Sequence, residues 1–197
     1  MHEHKNILKL ENYEFLSDDV ARALAQRKIS ACMYKEDDFL IIETHQDFNV
    51  DEIKNEISKL SFLRVKQQRE NEINERTTNT LLKGFKSLAL GTTHAYDLNL
   101  EDQANIQSLV LMGLGGAFRC AEVLEDESLG LKTYKEHSNE QLKSVFKDLL
   151  EYKQSVLVFY GLEKERLNAL ESLKDLLNFE TKAYENKNKR KKGAKKQ

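Results

Sequence analysis

His94 and Asp97 stand three positions apart in GTTHAYDL, and an imidazole and a carboxylate are the pair that general acid–base chemistry uses most often. A base needs a partner to act on. No GxSxG elbow, HExxH helix or Walker loop accompanies them, and nothing nearby has the pattern of a nucleophile or an oxyanion donor. The acids also come in clusters, at Asp18–Asp19, Asp37–Asp38 and Glu125–Asp126–Glu127, with Asp102 and Glu122 beside them as further carboxylates. Paired carboxylates can bind a divalent cation, but acids at helix starts are caps, and acids between elements are solvated. The histidines (His2, His4, His45, His94, His137) show no ligand spacing, and Cys32 and Cys120 lack a CxxC arrangement, so neither a metal site nor a disulfide framework is expected. LMGLGGAF has glycines at the wrong spacing for a dinucleotide loop. No catalytic residue and no cofactor is expected.

The elements that would position these residues are read from pattern. Residues 7–16 alternate loosely as a short strand, and Ser17 with Asp18 and Asp19 starts a helix through VARALAQRKI. SACMY and FLIIET, separated by Lys35-Glu36-Asp37-Asp38, read as a hairpin. Asn49 and Glu52 form a capping box ahead of Ile53, Ile57 and Leu60. From residue 63 to 82 the chain is polar with sparse apolar positions, which reads as a long exposed or connecting helix ended by Gly84, with a flexible linker as the alternative. SLAL and GTTHAYDL read as a short hairpin or turn, with Gly91 supplying the tight backbone.

Asn99 caps a further helix with Glu101 and Asp102 in its first turn. Its inward face is Ile106, Leu109, Val110, Leu114 and Ala117, beside Phe118. Gly113, Gly115 and Gly116 then fall inside that helix, each costing up to ~1 kcal/mol relative to Ala, so they call for close approach of another helix or, failing that, a kink. Residues 129–137 read as extended. Ser138 and Gln141 make a second capping box for a helix towards Lys187, with a seam at Leu142, Phe146, Leu149, Val156, Tyr160, Leu167, Leu170 and Leu177. Lys153, Glu163 and Lys174 interrupt the seam and Gly161 offers a break, which favours packing within one chain over a long oligomeric coil.

The stretch GFKSLALGTTHAYDLNLEDQANIQSLVLMGLGGAF resembles a domain-of-unknown-function family of tailed-phage and prophage tail modules, often encoded beside tail-fibre genes. In that family a charged helix leads through a Gly-containing turn and an aromatic–Asp segment into a helix of the type D-x-x-x-x-x-I. The matching features are ENEINERTTNTLLKGF, then His94 to Tyr96, then Asp97 or Asp102 with Ile106. An extended piece and a long helix follow in the family, as GLKTYKEHSNEQLKSVFKDLLEY and LNALESLKDLL do here. The resemblance runs over residues 69–178. Tyr134 stands where many relatives have Trp, the turn there lacks their Asp-Asn pair, and the three glycines are unusual. The family lends no catalytic residue. It implies a tail-fibre assembly factor, a chaperone that binds a fibre subunit, or else a structural component of tail, baseplate or fibre. The candidate partner contacts are Gly91, Thr92, His94, Tyr96 and Asp97, with Gly113, Gly115 and Gly116.

These readings give a mainly α fold with a small α+β N-terminal part and two short extended segments or hairpins in the helical domain. The expected divisions are a small α/β segment over residues 1–48, a charged connecting helix over 49–83, a helical phage-tail-type domain over 84–186 and a basic disordered tail over 187–197. The tail, KNKRKKGAKKQ, holds seven of the 31 Lys and Arg and no acid, leaving 24 against 33 Asp and Glu in the rest. Such a cluster can bind phosphates, which supports a third reading as a nucleic-acid-associated host protein. The acidic body and the lack of aromatics in the tail oppose nucleic-acid binding. The expected partner is a tail-fibre or other tail protein, with a homo-oligomer compatible with the long helices. The apolar run over residues 109–121 is too short to span a bilayer, MHEHKNILKL is too polar for a signal peptide, and the expected location is the host cytoplasm during assembly or the virion.

Overall fold

The computed structural model describes residues 6–11 and 17–185. In chain order these form β1 (Asn6–Glu11), α1 (Ser17–Gln26), β2 (Cys32–Glu36), β3 (Phe39–Thr44), α2 (Val50–Leu82), β4 (Phe85–Ser87), β5 (His94–Tyr96), α3 (Leu100–Met112), β6 (Gly116–Glu122), β7 (Thr133–His137), α4 (Asn139–Asn168) and α5 (Leu173–Leu177). The chain divides into two units: Met1–Glu70 with Leu167–Glu180, and Asn71–Arg166 with Thr181–Gln197.

The first unit is built on an antiparallel sheet of order β1-β3-β2. β3 is central, and its consecutive Leu40, Ile41 and Ile42 are all buried, so side chains on both faces of this strand are shielded from water. Leu8, Leu10, Val20, Ala23, Leu24, Ile53 and Ile57 close over it from β1, α1 and α2. Asp37, at φ +53, turns the hairpin between β2 and β3. Asp19 lies in the first turn of α1, at the helix start expected for it. It is buried and accepts hydrogen bonds from Ser61 Oγ at 2.7 Å and Arg64 Nε at 2.9 Å, tying α1 to α2.

The second unit contains an antiparallel sheet of order β4-β5-β6-β7. This sheet corrects the expectation of a mainly helical chain: the fold is mixed α/β with sheets of three and four strands. The reading failed at residues 113–122. Ala, Arg and Glu in GAFRCAE favour helices as residue types, yet Gly113 adopts φ +71 and ends α3, and Phe118 and Cys120 alternate into the core as strand residues. Gly115 and Gly116 therefore lie at the entry to β6. A close approach does require Gly115, but it comes from a strand end: a Cβ there would sit 2.5 Å from the carbonyl oxygen of His137. At Gly116 a Cβ would meet Leu109 Cδ1 at 2.8 Å. Leu114 and Ala117 are exposed instead of lining the helix, whereas Ile106 is buried and Leu109 and Val110 pack against the core.

The helix boundaries follow their caps. Asn49 Oδ1 accepts from the amides of Asp51 and Glu52. Asn99 Oδ1 accepts from Asp102 N at 2.7 Å, and Ser138 and Gln141 exchange hydrogen bonds at the start of α4. α4 runs through Gly161 without a break to Asn168, well short of Lys187, and buries Leu142, Val145, Leu149, Val156 and Tyr160. The seam position Glu163 is also buried. It pairs with Arg166 and accepts the Lys182 amide at 3.0 Å. The basic tail lies outside the described residues.

Candidate functional site

The chemistry-bearing side chains of the second unit gather on the core face of its sheet. Period-2 alternation puts Phe85 and Ser87 of β4, His94 and Tyr96 of β5, Phe118 and Cys120 of β6, and Lys135 and His137 of β7 on one side. Register then fixes the neighbours: Phe85 opposite Tyr96, Tyr96 opposite Cys120, His94 opposite Glu122, and Phe118 opposite Lys135. Phe85 stacks on Tyr96 with ring centroids 5.4 Å apart, and His137 meets Tyr96 and Phe118 edge-on.

The polar atoms form a chain whose direction follows from the partners. A backbone carbonyl only accepts, so the contact of His137 Nδ1 with Lys135 O at 2.7 Å places the hydrogen on Nδ1. His137 Nε2 is then the acceptor for the Tyr96 hydroxyl at 2.8 Å. By the same reasoning His94 Nδ1 donates to Thr92 O at 3.0 Å, and Nε2 accepts from Lys135 Nζ at 2.8 Å. Lys135 thus touches both rings, one through its ammonium and one through its carbonyl. At the rim Lys132 pairs with Asp97.

The electrostatics match burial. Burial pushes the Tyr96 phenol up, with the Cys120 charge and hydrogen bond adding to it. Burial likewise raises the Cys120 thiol, against the opposing pull of its Tyr96 hydrogen bond and of Lys135 and Lys132. A fully buried thiol held protonated is poorly reactive. Burial lowers His137, outweighing the hydrogen bond to Lys135 O that favours its charged form. Side-chain hydrogen bonds join β5 to β7, and ring contacts bring in Phe85 of β4 and Phe118 of β6, so side chains of all four strands meet in the cluster. Among the described residues no group of three or more His, Cys, Asp and Glu could hold a metal ion. No helix of the described residues is long and apolar enough to cross a membrane.

The residues singled out from sequence separate into two places. His94 and Tyr96 are buried in the cluster, Asp97 sits at its rim, and Gly91 (φ +90) and Thr92 form the exposed turn before β5. Gly113, Gly115 and Gly116 lie at the α3–β6 junction. Cys120, Lys132, Lys135 and His137 were not anticipated as part of the cluster. Their signal was the spacing of two in His94-x-Tyr96, Phe118-x-Cys120 and Lys135-x-His137, which marks strands sharing a face.

No family model, curated protein or solved structure matches this chain.

The remaining feature of the second unit is what it leaves open. Among the described residues β7 is paired to β6 alone, so its other edge is unpaired within the sheet. Beside it Leu131 is 85 % exposed and Tyr134 is 74 % exposed. An open edge flanked by large apolar side chains is suited to accepting another extended segment.

Proposed function

We propose that this chain is a non-catalytic assembly protein of a phage or prophage tail module, which holds a tail-fibre subunit through the open edge of β7. The observation that carries the reading is that unpaired edge with Leu131 and Tyr134 exposed beside it. A fibre subunit presents unpaired strands and apolar patches before it trimerises, and such edges aggregate. A strand added along β7 satisfies the subunit's backbone groups, while Tyr134 and Leu131 cover its side chains. The cluster behind β7 supports this role, because an edge held in one conformation loses little entropy on binding.

The resemblance to the tail-module family is a second support. The residues that carry it occupy structural joints here: Tyr96 in the cluster, Asp97 on Lys132, Asn99 as the cap of α3 and Ile106 in the core. In this reading the protein acts in the host cytoplasm during assembly. The test is co-expression with a tail-fibre subunit encoded by a neighbouring gene, as the resemblance implies. The yield of soluble fibre trimer is expected to fall when this chain is omitted or carries Tyr134→Asp with Leu131→Asp. An unchanged yield overturns the chaperone reading. Stoichiometric presence in purified particles, measured by mass spectrometry, would instead make the chain a structural component of the virion.

A further inference from the structure

The outer face of α4, opposite the seam that packs into the second unit, carries Leu150, Leu157, Val158 and Leu162, each between 44 % and 54 % exposed. At 100° per residue these four lie within a sector of about 140°, and Gly161 falls in the middle of it. A Cβ at Gly161 would meet nothing within 4 Å, so the glycine leaves a notch on this face, where Glu151 and Gln154 also lie among the apolar side chains. Four large apolar side chains on one exposed helix face form a patch of the kind that marks an interaction surface.

The charges at the two ends of the sector decide what fits. Lys147 lies one turn before Leu150, and Glu165 lies one turn after Gly161, both on this face. We infer that α4 pairs antiparallel with α4 of a second copy of this chain through this face. In that register Leu150 meets Leu162 of the second copy, Gln154 meets Val158, and Lys147 meets Glu165. Two-fold symmetry repeats every contact, so both ends of the interface carry an opposite-charge pair. A parallel pairing sets Lys147 against Lys147 and Glu165 against Glu165, which repels at both ends. The existing contact of Lys147 Nζ with Glu151, at 3.8 Å and one turn along, is loose enough to be shared with the second copy.

Sedimentation of the full chain tests the association, and cysteine pairing tests its direction. The wild-type chain is expected to be a dimer. Lys147→Glu is expected to weaken it by about tenfold or more, since both symmetric pairs become repulsive, and adding Glu165→Lys is expected to restore it. In a Cys32→Ser background, Lys147→Cys and Glu165→Cys chains are expected to form disulfide dimers when mixed and not when oxidised separately. A monomer at all concentrations, an unrestored double variant, no cross-link in the mixture, or cross-linking of either variant by itself would each overturn the inference.

Discussion

Replacing Tyr96 by Phe keeps the ring stacked on Phe85 and removes only the hydroxyl that His137 Nε2 accepts. An acceptor left buried without a donor costs about 1–3 kcal/mol, so Tyr96→Phe is expected to lower the unfolding free energy by that amount, read as a lower urea midpoint with an unchanged slope. His137 makes the same cluster sensitive to pH. Its folded pKa is below the ordinary value of 6.5 because burial disfavours the charged ring. Above pH 6.5 the ring is neutral in both states and contributes no pH dependence. As pH falls below 6.5 the unfolded chain takes up the proton first, and stability falls by at most about 1.4 kcal/mol per pH unit until the folded ring titrates. His137→Gln is expected to flatten that part of the stability–pH curve, and an equally steep curve in the variant would contradict the assignment. The glycines divide sharply at this scale. Gly84 has φ +78 and a Cβ there would lie 2.2 Å from the Tyr96 carbonyl oxygen, whereas Gly113 has φ +71 and open space. Gly113→Ala is expected to cost about 1–2 kcal/mol from backbone strain alone, and Gly84→Ala distinctly more, as read from thermal midpoints.

At the scale of elements, the caps and turns were legible because their signals are local. Asn49, Asn99 and Ser138 each start a helix as their side chains suggest, and Gly84 and Gly91 stand at positive φ. β6 was not legible, because GAFRCAE has helix-favouring types and is held as a strand by β5 and β7 on either side. Those partners lie outside any local window, and strand preference depends on them more than on the residues themselves. Glu163 failed for the same reason: a charge on a seam looks like an interruption until the Lys182 amide and Arg166 are brought to it. Burial alone would raise this carboxyl, but the Lys182 and Arg166 contacts bring it below its ordinary 4.5. Its contribution to stability is therefore present above pH 4.5 and is lost as pH falls through the lower folded value. Glu163→Ala is expected to leave the Lys182 amide unpaired and to speed its hydrogen exchange at neutral pH. Unchanged exchange at Lys182 would show that the segment after Thr181 is held by other contacts, such as Arg76 on the Thr181 carbonyl and Ser155 on Tyr184.

At the scale of the molecule, each unit has its own apolar cluster, one around β3 and one behind β5 and β6. The mixed character of the first 48 residues was visible in sequence through the alternation of NILKLE and the run FLIIET. The four-stranded sheet was half visible: its hairpin and its extended last strand were expected, but not the strand that joins them. The cluster was the least legible feature, since it draws residues from all four strands that are up to 52 positions apart (Phe85 to His137). The central claim is that β7 receives a strand from a fibre subunit. Amide hydrogen exchange of the chain, alone and mixed with a tail-fibre subunit, tests this most directly. Binding along the edge predicts slowed exchange within Thr133–His137, lost in the Leu131→Asp, Tyr134→Asp variant. Exchange in β7 that is the same with and without the fibre subunit would contradict the account.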